Sequence, residues 1–131
     1  MEEVIERLRE ANESVPVPLE LPSFEQLVEV QEALLIHLPD EYREFLLEVS
    51  DVIYGHLEPA TIADPAAHTY LPDMASKAWE EGLERHLLPI CEYHAGYYVI
   101  DPMGEVSTWP DDGSDSWPNI WQWADSVWLD S

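Results

Sequence analysis

The chain has 131 residues, of which 28 are acidic and 5 are basic, so its formal net charge is −23. This length suits one domain with a single core. A hydrophobic content of 46%, with six Trp and six Tyr, is enough to fill that core. The negative charge is spread along the chain and repels nucleic acid and anionic lipid, because binding phosphate requires Lys and Arg. It attracts basic partners, although a surface that only keeps the protein soluble, or adaptation to high salt, would give the same charge.

The single cysteine, Cys91, makes an internal disulfide impossible and favours a reducing cytosol. The N-terminus is acidic and amphipathic, which argues against a signal peptide. No apolar run approaches the length that a bilayer span needs. We therefore predict a cytoplasmic protein with one domain over residues 1–131, in which residues 1–22 form an N-terminal helix and a proline-rich extension.

The first forty residues are predicted to contain two helices. A short helical stripe comes first, formed by Val4, Ile5, Leu8 and Ala11. Residues 14–22 hold three prolines and should be extended. Ser23 and Gln26 have the spacing of a capping box, which predicts the start of a second helix. The apolar positions of that helix are Phe24, Leu27, Val28, Leu34, Leu35 and Leu38, with polar Gln31 among them.

Pro39 predicts a junction between two helices with almost no linker. Proline has no N–H to lose in a first helical turn and breaks a helix that arrives from upstream. The second helix should therefore end near His37, and a third should begin at Pro39 and continue to about Ile53, with Gly55 as its stop. The buried stripe predicted for the third helix is Tyr42, Phe45, Leu46 and Val49.

The second half of the chain predicts a meander of short strands. Residues 56–62 predict a short edge strand. Residues 64–70 predict a loop, and residues 72–85 predict a helix. Residues 87–93 and 96–101 predict a hairpin, in which the aromatic and β-branched residues 97–100 suit a central strand.

The remaining residues predict the end of the sheet and a last helix. Residues 101–104 have the composition of a turn, and residues 105–109 should pair back as a third strand. Residues 110–118 are predicted to be an acidic loop. Asn119 can cap a closing helix that buries Ile120, Trp123, Ala124, Val127 and Trp128. This order predicts an α+β domain, with a short antiparallel meander and helices on one face of the sheet.

The junction LPDEYREFL, residues 38–46, resembles the signature of the SUKH superfamily, which includes the Smi/Knr-type domains of fungal cell-wall regulators and many bacterial immunity proteins. Residues 88–90, 98–101 and 104–106 are similar to strands of the same family, and residues 121–129 fall where the family places its last helix. The resemblance covers residues 23–131. It implies a SUKH-like α+β fold and a non-enzymatic protein-binding domain.

For a bacterial member, the resemblance implies an immunity protein that binds and neutralises a cognate toxin, often a basic nuclease. The fungal relatives keep a second interpretation open, namely an intracellular regulatory or scaffold module that binds another protein. Aromatic anchors inside a charged rim would supply affinity, and the charges would supply association rate and selectivity.

The acidic loop and its flanking tryptophans are the predicted partner-binding surface. Its residues are Trp109, Asp111, Asp112, Asp115, Trp117 and Trp121. A solvated loop of turn-forming residues is the alternative interpretation, and the spacing does not fit a calcium-binding loop. Trp123 and Trp128 are predicted to lie in the core.

No catalytic residue, metal or cofactor is predicted. Cys91 and His94 lack the second pair of ligands that a zinc site requires, and Cys91 is expected to be a small buried apolar residue. The sequence has no Gly-x-Ser-x-Gly elbow and no glycine-rich phosphate loop. Paired carboxylates for hydrolysis stay open, because 28 acids can be paired in many ways. We predict that the chain is not an enzyme.

Overall fold

Five helices, a π-helical turn and a four-stranded sheet make up the fold in the computed structural model, which describes residues 1–111 and 115–131. In chain order the elements are α1 (Glu2–Ala11), α2 (Phe24–Leu34), α3 (Asp40–Val49), α4 (Leu71–Glu80), β1 (Leu88–Tyr93), β2 (Gly96–Ile100), β3 (Val106–Trp109), β4 (Ser116–Trp117), α5 (Ile120–Trp123) and the π-helix (Ala124–Trp128). The strands are antiparallel neighbours in the order β1-β2-β3-β4. The predicted α+β class and antiparallel meander are therefore confirmed.

The capping box that begins α2 is confirmed. The Ser23 side chain accepts a hydrogen bond from the Gln26 N–H at 3.1 Å, and the Gln26 side chain accepts one from the Ser23 N–H at 2.8 Å. The Gln26 amide also donates to the carbonyl of Ala63 at 3.0 Å. This cap therefore fixes both the start of α2 and its position against the loop that precedes α4.

The junction around Pro39 is broken as predicted, but the helices on either side are shorter. The second helix ends at Leu34, because Leu35 adopts a left-handed conformation with φ 57°, and residues 35–39 form a linker. The Leu38 N–H donates to the Gln31 side chain at 2.9 Å, which explains the polar residue among the apolar positions of α2. The prediction of almost no linker is therefore wrong.

Two other helix ends also differ from prediction. Helix α3 ends at Val49 rather than near Ile53. Helix α4 ends at Glu80, whereas the sequence predicted that it would reach residue 85. Gly82 has φ 117°, which is incompatible with a continuing helix, so the chain turns there.

The exposed face of α2 contradicts part of the predicted stripe. Val30 and Leu34 join the core, together with Leu27. By contrast, Phe24, Val28 and Leu35 are 58%, 38% and 84% exposed. Apolar residues lie on more than one side of this helix, so periodicity alone does not say which side the core covers.

The predicted edge strand over residues 56–62 is wrong. The chain makes two isolated bridges there, from Pro59 to Cys91 and from Thr61 to Tyr70. The Ala60 N–H donates to the carbonyl of Ile90 at 2.7 Å. Because proline has no N–H for a ladder, the segment touches β1 without extending the sheet.

Helices cover both faces of the sheet, so the prediction of helices on one face is wrong. Successive side chains on a strand point to opposite faces. On one face, the Tyr97 hydroxyl donates to a Glu81 carboxylate oxygen at 3.0 Å, just beyond α4. On the other face, the Tyr98 ring lies 5.4 Å from the ring of Trp123 on α5. The two adjacent tyrosines therefore belong to different packing layers.

The predicted acidic loop over residues 110–118 is shorter than expected, because its last part forms a strand. Ser116 and Trp117 pair with Ser107 and Val106 as a fourth strand. Asn119 caps α5 as predicted, since its side chain accepts from the Gln122 N–H at 2.9 Å. Trp123 and Trp128 are 0% and 1% exposed, and Cys91 is 0% exposed, so their predicted burial is confirmed.

Candidate protein-binding groove

An open groove of about 440 Å³ lies on the α5 side of the sheet, where strands and the C-terminal turns meet. Its lining is aromatic and acidic, with a few small polar side chains. The lining residues are Tyr93, His94, Ala95, Tyr98, Thr108, Asp111, Asp115, Trp117, Ser126, Val127 and Asp130.

Three half-buried aromatic side chains form the wall of the groove, and each comes from a different strand. Tyr93 ends β1, Tyr98 lies on β2 and Trp117 lies on β4. The Tyr93 and Tyr98 rings are stacked, with centroids 4.6 Å apart, and the Tyr98 and Trp117 rings meet edge to face at 5.8 Å. Trp123 supports Tyr98 from the core. Contacts with Tyr93, Trp117 and Trp123 therefore hold the Tyr98 ring in position.

Carboxylates line the groove beside the aromatic wall. Asp111, Asp115 and Asp130 are exposed there. The Thr108 hydroxyl donates to the carbonyl of Asp111 at 2.8 Å, which fixes the backbone where β3 ends. Burial raises the pKa of the Tyr98 hydroxyl, and the charges of Tyr93, Cys91 and Asp115 raise it further. Tyr98 is therefore a neutral hydrogen-bonding ring at physiological pH.

The described residues that line the groove include no Lys or Arg, and each of the five basic residues of the chain contacts another group. Four form ion pairs with carboxylates, and the guanidinium of Arg85 lies 3.6 Å above the Trp79 ring. The acidic partners are Asp125 for Arg7, Asp51 for Arg9, Asp40 for Arg43 and Glu92 for Lys77. The titratable base among the described lining residues is His94, whose ring meets that of Tyr93 edge to face at 5.3 Å.

The structure brings together three of the six predicted partner-binding residues, namely Asp111, Asp115 and Trp117. Trp109 lies on the opposite face of the sheet, with its ring 6.3 Å from that of Tyr97. Asp112 lies outside the described residues.

Trp121 belongs to the core rather than to a partner-facing surface. It is 3% exposed, and its ring meets that of Phe45 edge to face at 5.5 Å. Its neighbours Ile120 and Trp123 are also buried, because α5 is covered by α3 on one side and by the sheet on another. The prediction that Trp121 meets a partner is therefore not compatible with its position.

Sequence reasoning missed Tyr93, Tyr98 and Asp130. The predicted hairpin already contained the signal for the two tyrosines. A two-residue turn at His94 and Ala95 pairs residue 93 with residue 96, so alternation places Tyr93 and Tyr98 on one face. Asp130 had no such signal, because its place depends on the turn that follows α5.

Within residues 1–111 and 115–131, no group of three or more His, Cys, Asp or Glu side chains is arranged to hold a metal ion. Burial raises the pKa of the Cys91 thiol to about 12, so this side chain is not an activated nucleophile. The same part of the chain has no helix of the length and apolarity that crossing a membrane requires.

Comparison with known families gives one match along almost the whole chain. The model SUKH_5, described as SMI1-KNR4 cell-wall, matches residues 1–129, which includes the N-terminal helix and the proline-rich segment. A crystal structure of a protein from Pseudomonas syringae pv. tomato is 53% identical to this chain, with a TM-score of 0.97 and 100% of both chains covered. No curated protein matches the chain.

Proposed function

This chain belongs to the SMI1-KNR4 (SUKH) family, and from that membership we propose that it is an immunity protein that binds and neutralises a cognate basic toxin. At the level of the family, membership supports a protein-binding domain of the immunity type, and this is the observation that carries the proposal. The net charge of −23 and the aromatic, acidic groove support a basic protein as the partner.

The mode of action follows from charge and shape. A nuclease toxin must present Lys and Arg to the phosphate backbone. An acidic protein steers toward that surface and then covers it, so the nucleic acid is excluded. Half-buried aromatic residues such as Trp117 and Tyr98 would supply most of the affinity. The chain itself performs no chemical step in this proposal and stays in the cytoplasm, where the toxin would act.

The test begins with the protein encoded beside this chain. We expect the two proteins to form a complex, and we expect the chain to protect cells that produce its neighbour. Because steering by charge is screened by salt, the association rate should fall about tenfold or more between 20 and 300 mM NaCl. A neighbour that is harmless, or toxicity that persists at full expression of the chain, would reject the proposal.

A regulatory or scaffold module is the second candidate, and a different surface favours it. Phe24 and Val28 on α2, and Leu35 directly after it, are exposed apolar residues that take no part in the groove. A housekeeping complex that is retained when Asp111 and Asp115 become Asn, and lost in Phe24→Glu, would favour this candidate. The opposite pattern would favour toxin binding through the groove.

A further inference from the structure

We propose that the groove receives an arginine side chain of the protein partner, with the guanidinium against the rings of Tyr98 and Trp117 and near the carboxylates of Asp111 and Asp115. The inference rests on the proposed function only where it assigns the arginine to a protein. Binding of the guanidinium group itself can be measured without any partner.

The shape of the groove suits a flat, partly apolar group. Tyr98 and Trp117 meet edge to face at an interplanar angle of 71°, so their faces define two sides of a corner rather than one flat surface. Both residues are half-buried, which leaves part of each ring open to the groove. A volume of about 440 Å³ holds a whole arginine side chain together with neighbouring atoms of its own chain.

The charges of the groove favour a cation. Asp115 and Asp130 place exposed carboxylates on it, and its described lining contains His94 but no Lys or Arg. An apolar side chain in the same place would remove water from these carboxylates without replacing its hydrogen bonds, at a cost in free energy. A cationic side chain instead adds attraction as it removes water.

Arginine fits better than lysine, because its guanidinium is planar and presents several N–H donors. It stacks on aromatic faces and binds carboxylates through two parallel hydrogen bonds, whereas the lysine ammonium is a compact, strongly hydrated charge. The chain already contains this pairing, since the Arg85 guanidinium lies 3.6 Å above the Trp79 ring while donating to the carbonyl of Leu34 at 2.7 Å. The groove offers the same aromatic contact, with carboxylates in place of a carbonyl.

The experiment is an NMR titration of the full chain with N-acetyl-arginine amide, observed at the indole N–H of Trp117. The citrulline analogue, which has nearly the same shape but no charge, and the lysine analogue are titrated in parallel. We expect a saturable shift with arginine at millimolar concentration, and binding of citrulline and lysine that is at least about tenfold and threefold weaker, respectively. Equal binding of citrulline, equal binding of lysine, or no saturable shift with arginine would overturn the inference.

Matched variants then test the site. The double variant Asp111→Asn, Asp115→Asn should weaken arginine binding by about tenfold, and Trp117→Leu should do the same. The control is Glu25→Gln, Glu32→Gln, which removes two exposed charges from α2, a helix that lines no part of the groove, and should change binding less than about twofold. An equal loss in this control would show that net charge, and not the groove, determines binding.

The two proposals can fail separately. If the arginine analogue binds as expected but the chain protects against no toxin, the groove inference stands and the immunity function falls. If the chain neutralises a toxin that the double Asn variant binds equally well, the function stands and the groove inference is overturned.

Discussion

Gly96→Ala is expected to be the most damaging small substitution in the sheet. Gly96 begins β2 with φ 149°, a conformation that residues with a side chain rarely adopt. A Cβ at this position would lie 2.2 Å from the carbonyl oxygen of Trp109 and 2.6 Å from the Pro110 ring. Since the first of these atoms is backbone, no side-chain rotation can relieve the collision.

The size of the effect can be worked out from this geometry. Holding alanine in the unfavourable conformation costs about 1–3 kcal/mol. The end of β3 must also move by about 1.2–1.8 Å to bring the Trp109 oxygen from 2.2 Å to the ordinary contact distance of 3.4–4 Å, which disturbs the pairing of Tyr97 with Trp109. Losing one or two ladder hydrogen bonds costs about 0.5–1.5 kcal/mol each. The total of about 1.5–6 kcal/mol is a large fraction of the roughly 5–15 kcal/mol that stabilises a typical domain.

Gly82→Ala is the matched control, because Gly82 also has positive φ and also faces Trp109. Its Cβ would lie 3.8 Å from a Trp109 ring carbon, which is ordinary contact, so only the backbone strain of about 1–3 kcal/mol applies. Urea unfolding followed by circular dichroism measures both variants, and the free energy of unfolding of Gly96→Ala should fall by about 0.5–3 kcal/mol more than that of the control. Equal losses would refute the argument that the collision with the Trp109 carbonyl matters.

Three further predictions concern the core and the charge. Tyr42→Phe removes a buried hydroxyl that has no hydrogen-bond partner among the described residues. Thermal melting should therefore show a free energy of unfolding that is unchanged or higher by up to about 1–3 kcal/mol, and a clear decrease would mean that the hydroxyl is hydrogen-bonded. Burial raises the pKa of the Cys91 thiol to about 12 from a reference of 9.0, so above pH 9 the unfolded state loses a proton that the native state keeps. The contribution of Cys91 to the free energy of unfolding should therefore be constant below pH 9 and fall between pH 9 and about 12, by up to about 1.4 kcal/mol per pH unit. In urea titrations over this pH range, the free energy of unfolding of Cys91→Ala should fall less steeply than that of the unchanged protein. Raising NaCl from 10 to 500 mM should raise the melting temperature, because salt screens repulsion among 28 acids, and an unchanged or lower value would contradict this reasoning.

The elements that were predicted correctly depend on neighbours within a few residues. The turn after β2 is one case, since the Asp101 side chain accepts from the N–H groups of Met103 at 2.9 Å and Glu105 at 3.0 Å. The Ser23 cap and the hairpin at residues 93–96 are others. In each case the residues that make the contact lie within a few positions of one another, so the local sequence pattern is sufficient to predict the structure.

The wrong predictions concern features that depend on contacts between residues far apart in the sequence. The apolar side chains of α2 lie on several sides, and the core covers the side of Val30 while leaving Phe24 outside. Which side is covered depends on α3 and α4, which pack against α2. The groove shows the same limit, because Trp117 and Tyr98 meet only once β4 has paired with β3, and a two-residue strand has too few residues for a periodic signal.

The π-helix after α5 shapes both the core and the groove. The Leu129 N–H donates to the carbonyl of Ala124, five residues back, at 2.8 Å. One extra residue in the turn lets Trp128 stack on Trp123 with ring centroids 6.4 Å apart, whereas an α-helix would place these positions about 140° apart around its axis, at the two edges of the predicted stripe. Val127, which a period of 3.6 assigns to the core, is instead half-buried at the edge of the groove. The wider turn therefore closes the core and supplies one wall of the groove, and π-turns are frequent at functional sites in other proteins.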